Sequence, residues 1–144
     1  MPRGARAMSD NSEKPTQAPV LVFVVEDEEM VQELLVSALE EGGFAVMVTA
    51  SGDEALAVLE KDDAPIRAVV TDVDLGGPVS GWDVAKRARE LHPDMPIVYM
   101  TGAHANEWSA NGVPNSMIIT KPFAPAQIVS AVSQLMNAAP PTSA

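Results

Sequence analysis

Between residues 20 and 137 short apolar runs alternate with longer segments of helical period, and this alternation predicts five strand-helix units. Val20 to Val25 is apolar throughout, as a strand covered on both faces must be. From Glu28 to Glu41 the apolar positions Met30, Val31, Leu34, Leu35, Ala38 and Leu39 form one helical stripe, which Gly42-Gly43 ends. Phe44 to Thr49 reads as the second strand. Ser51 and Glu54 then stand three apart at the head of an Ala- and Leu-rich helix reaching Lys61, the pattern of a capping box. Ile66 to Thr71 predicts the third strand, and the Gly/Pro-rich stretch 76–81 leads to a helix from Trp82 to Leu91 that Pro93 closes. Pro96 to Thr101 is the fourth strand, followed by a short, weakly patterned helix over Ala103 to Ala110. Ser116 to Thr120 is the fifth, and Pro125 suits the first turn of a last helix carrying Ile128, Val129, Val132, Leu135 and Met136. Five βα units are too few for an eight-stranded barrel. The expected fold class is α/β, an open doubly wound (βα)5 parallel sheet with strand order 2-1-3-4-5.

Composition narrows the function more than the fold. Residues 1–19 mix Pro, Gly, Ser and charges without a hydrophobic period, and 138–144 are small and helix-breaking, so both read as disordered tails around one domain at 20–137. The whole chain carries −11, and removing the first 19 residues leaves 6 basic against 18 acidic, or −12. A nucleic acid would meet net repulsion, and no basic stripe offsets it. With no cysteine, disulfides, thiolate metal sites and cysteine nucleophiles drop out. No apolar run approaches the roughly 20 residues that cross a bilayer, and the first 19 lack a signal peptide's apolar stretch, so no membrane partner and a cytoplasmic location are expected.

In an open α/β sheet ligands bind at the carboxyl ends of the strands. There the chain places Glu26-Asp27 after the first strand, Asp72 after the third, Thr101 after the fourth and Lys121-Pro122 after the fifth. Carboxylates meeting in one pocket repel unless a cation or a shared proton compensates, and hard oxygen donors without soft ligands favour Mg2+. A lysine and a hydroxyl beside them are what a phosphoryl group needs, with a carboxylate as nucleophile.

The segments VVEDEE, VVTDVDLGG, VYMTGA and ITKPF resemble the strand ends of response-regulator receiver domains, the CheY-like and flavodoxin-like switch modules of two-component signalling, from about Val20 to Asn137. The resemblance implies that Asp72 is the phosphoacceptor, that Asp27 ligates the metal directly and Glu26 through water, and that Asp74 offers its backbone carbonyl. It further implies that Thr101 turns onto the phosphoryl group, that Lys121 is its counter-ion, and that the Lys121-Pro122 bond is cis. The phosphodonor would be a histidine kinase or a histidine phosphotransfer protein. Because no output domain follows Asn137, the chain is expected to be a stand-alone regulator read by a downstream protein, with Trp108 on the surface formed in receivers by the fourth helix and the fifth strand and helix. It is expected to be no enzyme beyond its own phosphorylation and dephosphorylation. One departure stands out: the aromatic that many receivers carry three residues before the lysine is here Ile118, which puts the aromatic form of the switch in question. Glu26 also replaces the more frequent Asp.

Blander roles compete for some of these residues. Glu28 and Glu29 suit the acidic start of a helix, Trp82 suits packing, and His92 and His104, without a partner at ligand spacing, are expected to be solvated. Asp72-Val73-Asp74 also matches the Asp-x-Asp of haloacid-dehalogenase-type phosphatases. That motif normally ends the first strand of a larger domain and is followed by further acidic ligands, which this chain lacks. A constitutive pseudo-receiver that binds a partner without phosphorylation is the other alternative, and the nearly complete site argues against it.

Overall fold

The computed structural model describes residues 18–138, so most of the 1–19 stretch and nearly all of 138–144 lie outside the described residues. The strands are β1 (Leu21–Val25), β2 (Ala45–Thr49), β3 (Ile66–Asp72), β4 (Ile97–Thr101) and β5 (Met117–Thr120). The helices are α1 (Glu29–Glu41), α2 (Gly52–Lys61), α3 (Gly81–Leu91), α4 (Trp108–Asn111) and α5 (Pro125–Asn137), with a 3-10 turn at Ala105–Glu107 before α4. All pairings are parallel in the order β2-β1-β3-β4-β5, the expected 2-1-3-4-5 arrangement.

Apolar side chains leave both faces of the sheet, which is why its central strands lack polar alternation. Val22, Val24, Val70, Val98 and Met100 pack under Leu35 and Leu39 of α1 and Ile128 and Val132 of α5. Phe23, Val69, Ile97 and Tyr99 pack under Ala55 and Leu59 of α2 and Val84, Ala85 and Ala88 of α3. The stripe expected on α1 divides. Leu35 and Leu39 are buried, whereas Met30 is 74% and Leu34 51% exposed, because a 13-residue helix lying on a sheet buries a narrower arc than its apolar pattern offers.

Caps set where the helices begin. Ser51 Oγ accepts the Glu54 N–H at 3.1 Å, while the Glu54 carboxylate takes the N–H of Ala50 at 3.0 Å, one residue before the cap. At α3 the box is fully reciprocal between Ser80 and Asp83, a signal not picked out from sequence, and it moves the helix start to Gly81. Gly81 is required by close approach: a Cβ there would lie 2.1 Å from the Asp72 carbonyl oxygen. The α3 start is thereby pressed against the end of β3.

The fourth helical segment departs most from expectation. Ala103 to Ala110 becomes a 3-10 turn and one turn of α-helix shifted toward Asn111, with no buried residue in either. The stretch Asn106-Glu107-Trp108-Ser109-Ala110-Asn111 has no apolar stripe to dock on the sheet, and short helices depend on docking.

Candidate functional site

Backbone hydrogen bonds carry the parallel ladder one residue past the strands. Glu26 N–H donates to Thr49 O, Val73 N–H to Met100 O and Lys121 N–H to Thr101 O, at 3.1, 2.9 and 2.8 Å. The residues just beyond the apolar runs are thus held in register at one edge.

At that edge carboxylate oxygens of Glu26, Asp27 and Asp72 lie within 4.8 Å of one another. Lys121 Nζ donates to Asp72 Oδ2 at 2.9 Å and to Glu26 Oε1 at 3.4 Å, and Glu28 Oε1 lies 3.9 Å away. Glu28, read from sequence as a helix-start charge only, therefore also faces the lysine. Glu26 is wholly buried and Asp72 nearly so, while Asp27 and Asp74 are exposed. Glu26 Oε2 accepts the Glu28 N–H at 3.0 Å, and Asp72 Oδ1 accepts the Asp74 N–H at 3.2 Å. The Asp74 backbone thus sits against Asp72. The Lys121-Pro122 peptide bond is cis.

Electrostatics follow from this burial. Desolvation pushes the Glu26 carboxyl up to about 7, helped by the Asp72 charge and opposed by the Glu28 amide and Lys121. Desolvation also raises Asp72, while the hydrogen bond and charge of Lys121 pull against it. Burial works against the Lys121 ammonium, but its two carboxylate partners outweigh that and raise it. A hard divalent cation fits this donor set: three converging carboxylates, all oxygen, against the single ammonium of Lys121.

Thr101 is buried at the end of β4, and its Oγ1 accepts the N–H groups of Ala103 at 3.2 Å and His104 at 2.9 Å. Its hydroxyl oxygen therefore organises the loop after β4, and no hydrogen bond joins it to Asp72 among the described residues. Ile118 is partly buried against the α2/α3-side core, directly opposite Tyr99 in the β4-β5 register. Tyr99 is fully buried and tilts against Trp82, ring centroids 4.7 Å apart, so Trp82 is a packing residue as expected. Both histidine side chains reach solvent as expected, but each also has a carboxylate partner: His92 Nε2 pairs with Asp62 at 2.8 Å, brought in by chain folding, and His104 Nδ1 with Glu107 at 2.9 Å, three residues along the same turn.

A cavity of about 610 Å3 opens elsewhere, between Arg67, Arg89, Asp94 and Met136, and shares no residue with the acidic cluster.

The profile of the response regulator receiver domain matches residues 22–133. A response regulator receiver protein from Sinorhizobium medicae has a similar structure, with 46% identity and a TM-score of 0.80 over 83% of this chain and 96% of that one. A response regulator from Chloroflexus aurantiacus is 30% identical, with a TM-score of 0.72 over 84% and 100% of the two chains. Among curated proteins, the receiver protein CpdR of Brucella abortus is 28% identical over 82% of this chain and 98% of its own length. The sensor kinase CckA of Brucella abortus is 31% identical over 81% of this chain, which spans only 12% of that kinase. The chain likewise spans 22% of the NtrX-like regulator of Rickettsia conorii. Among the described residues no helix is long and apolar enough to cross a membrane. Fold, strand-end residues and profile agree: the chain belongs to the response regulator receiver family of two-component systems.

Proposed function

We propose that this receiver is a phosphoacceptor switch in which Asp72 takes a phosphoryl group from a histidine kinase or histidine phosphotransfer protein. The observation that carries the reading is the lysine inside the carboxylate cluster, Lys121 Nζ at 2.9 Å from Asp72 Oδ2. An Asp72 oxygen attacks phosphorus as the bond from phosphorus to the donor's imidazole nitrogen breaks, leaving an acyl phosphate on Asp72 and a neutral histidine on the donor. Lys121 opposes the burial that raises Asp72 and so favours the ionised nucleophile, and its ammonium then stands beside the transferred group. The Asp74 N–H orients the other Asp72 oxygen. Mg2+ held by Asp27, Asp72 and the Asp74 carbonyl, with Glu26 behind, would neutralise the phosphoryl oxygens. Thr101 turns its hydroxyl toward the phosphoryl group.

Exposed Asp27 and Asp74 beside the buried Asp72 suit a donor presented by another protein, and the family's presence in both a sensor kinase and response regulators supports a phosphorelay. Readout runs through protein contacts, with the Trp108 face as the surface offered to a downstream target. Function as a stand-alone regulator in the cytoplasm belongs to the same proposal. Incubation with Mg2+ and acetyl phosphate should add one phosphoryl mass to the wild type and none to Asp72→Ala. No gain in the wild type, or the same gain in both proteins, would refute it.

A further inference from the structure

With an isoleucine at 118, the usual aromatic cannot link the phosphorylation site to the outer surface, yet an aromatic sits next to that position on β4. Tyr99 is fully buried, two residues before Thr101 and opposite Ile118 in the β4-β5 register. Its hydroxyl accepts the N–H of Val113 at 3.0 Å, in the loop between α4 and β5. The Val113 carbonyl accepts the hydroxyl of Ser116 at 2.6 Å, and Ser116 Oγ in turn accepts the indole N–H of Trp108 at 3.0 Å. A continuous hydrogen-bonded path thus runs from the buried core of β4 to the half-exposed indole of α4.

The same loop is held from a second side. The Arg89 guanidinium of α3 donates to the carbonyls of Met95 and Pro114 at 2.6 Å each and to that of Asn115 at 3.3 Å. The indole also lies close over Gly112, where a Cβ would stand 2.4 Å from its Cδ1. The segment from Gly102 to Gly112 is therefore tied at two ends by different means. Its near end hangs on Thr101 Oγ1, which takes the Ala103 and His104 amides. Its far end hangs on Tyr99, Ser116 and Arg89. Between them no residue of the 3-10 turn or α4 is buried, so packing offers little resistance to a pivot.

We propose that Tyr99 is a positioning residue that anchors the far end of this segment, so that release of its near end by Thr101 becomes a displacement of Trp108. It does from β4 what an aromatic at 118 would do from β5. This rests on the phosphoacceptor reading of Asp72, because Thr101 lets go of the two amides only when its hydroxyl turns to the phosphoryl group. A free hydroxyl donates one hydrogen bond and the Tyr99 oxygen here only accepts, so Tyr99→Phe removes the acceptor while leaving the ring packed on Trp82.

The two indole N–H signals in 15N-1H spectra separate Trp82 from Trp108 and provide the test. In the wild type, Mg2+ and acetyl phosphate should move the Trp108 signal more than the Trp82 signal. In Tyr99→Phe the phosphoryl mass gain should persist while the Trp108 displacement falls to less than about half, as the loss of one coupling link would produce. Ser116→Ala breaks the path farther out without touching β4. It should give the same loss, and it decides the matter if Tyr99→Phe shifts the Trp82 signal in the resting protein and so reports a disturbed core. Undiminished Trp108 displacement in a phosphorylated Ser116→Ala, or in a Tyr99→Phe whose Trp82 signal is unmoved, would overturn the anchor and leave Asp72 phosphorylation standing. Absence of mass gain in the wild type would overturn both.

Discussion

The edge formed by β1, β3 and the end of β5 and the edge formed by β4, α4 and the start of β5 belong to one sheet, but they are built differently. At the first, Glu26, Asp72 and Lys121 are clamped by ladder hydrogen bonds and mutual charge, over strands whose apolar residues are almost wholly buried. At the second, a 3-10 turn and four residues of helix hang on hydrogen bonds from Thr101, Tyr99, Ser116 and Arg89. Group-transfer chemistry needs fixed geometry, and a surface that must change shape needs low local stability. One fold supplies both because the length of the apolar pattern differs between them.

The difference between the edges can be broken by adding one methyl group to each. Gly81→Ala should be the most damaging, lowering stability by more than about 3 kcal/mol by chemical denaturation, because the new Cβ meets the Asp72 carbonyl and Val73 Cα, backbone that the sheet does not let move. A loss below about 2 kcal/mol would mean that the rigid edge yields as easily as the other.

Lys121→Ala sharpens the electrostatic half of the comparison. Removing the cation leaves two buried carboxylates facing each other, a cost of about 2 kcal/mol at neutral pH, softened because either group can take up a proton. The pH dependence has a definite sign. The folded Glu26 carboxyl is raised from 4.5 to about 7, so the folded state binds the extra proton, and without added metal its contribution is fully present below about 4.5 and lost as pH rises through about 7. Wild-type stability in chelator-containing buffer should therefore fall across that window, more steeply in Lys121→Ala and less in Glu26→Gln. A stability difference between Lys121→Ala and wild type that did not change with pH would show that the lysine acts by packing alone.

Gly112→Ala should be the mildest, about 1 to 2 kcal/mol, since the new Cβ meets the indole, which can swing aside, and the Trp108 carbonyl oxygen, which belongs to a short helix with no buried residue and can shift. Its signature is spectroscopic: the Trp108 indole N–H should shift as its bond to Ser116 is lost, with the Trp82 signal unmoved.

Most of the architecture was legible in order along the chain, because continuous apolar runs and helical stripes are local signals with a direct physical cause in two-sided burial. Helix starts and the fourth helix were less so. The Ser80-Asp83 box was there to be found as a Ser followed three residues later by an acid, while the shift of α4 follows from having nothing to dock, which a weak pattern shows only as weakness. Exposure of Met30 and Leu34 was hidden for a related reason: residue type says what can be buried, and only the curvature and placement of the sheet say how much will be.

The identities and order of Glu26, Asp27, Asp72, Thr101 and Lys121 at strand ends were determined by sequence alone, since a parallel sheet puts every strand's carboxyl end at the same edge. What tertiary structure decided was how those groups meet. Burial of Glu26 and not Asp27, the placing of Lys121 between two carboxylates, the pairing of His92 with Asp62 and the path from Tyr99 to Trp108 all depend on residues from separate elements. Hydrogen bonds and desolvation act over a few ångströms in space, and the pattern along a chain records only neighbours in order.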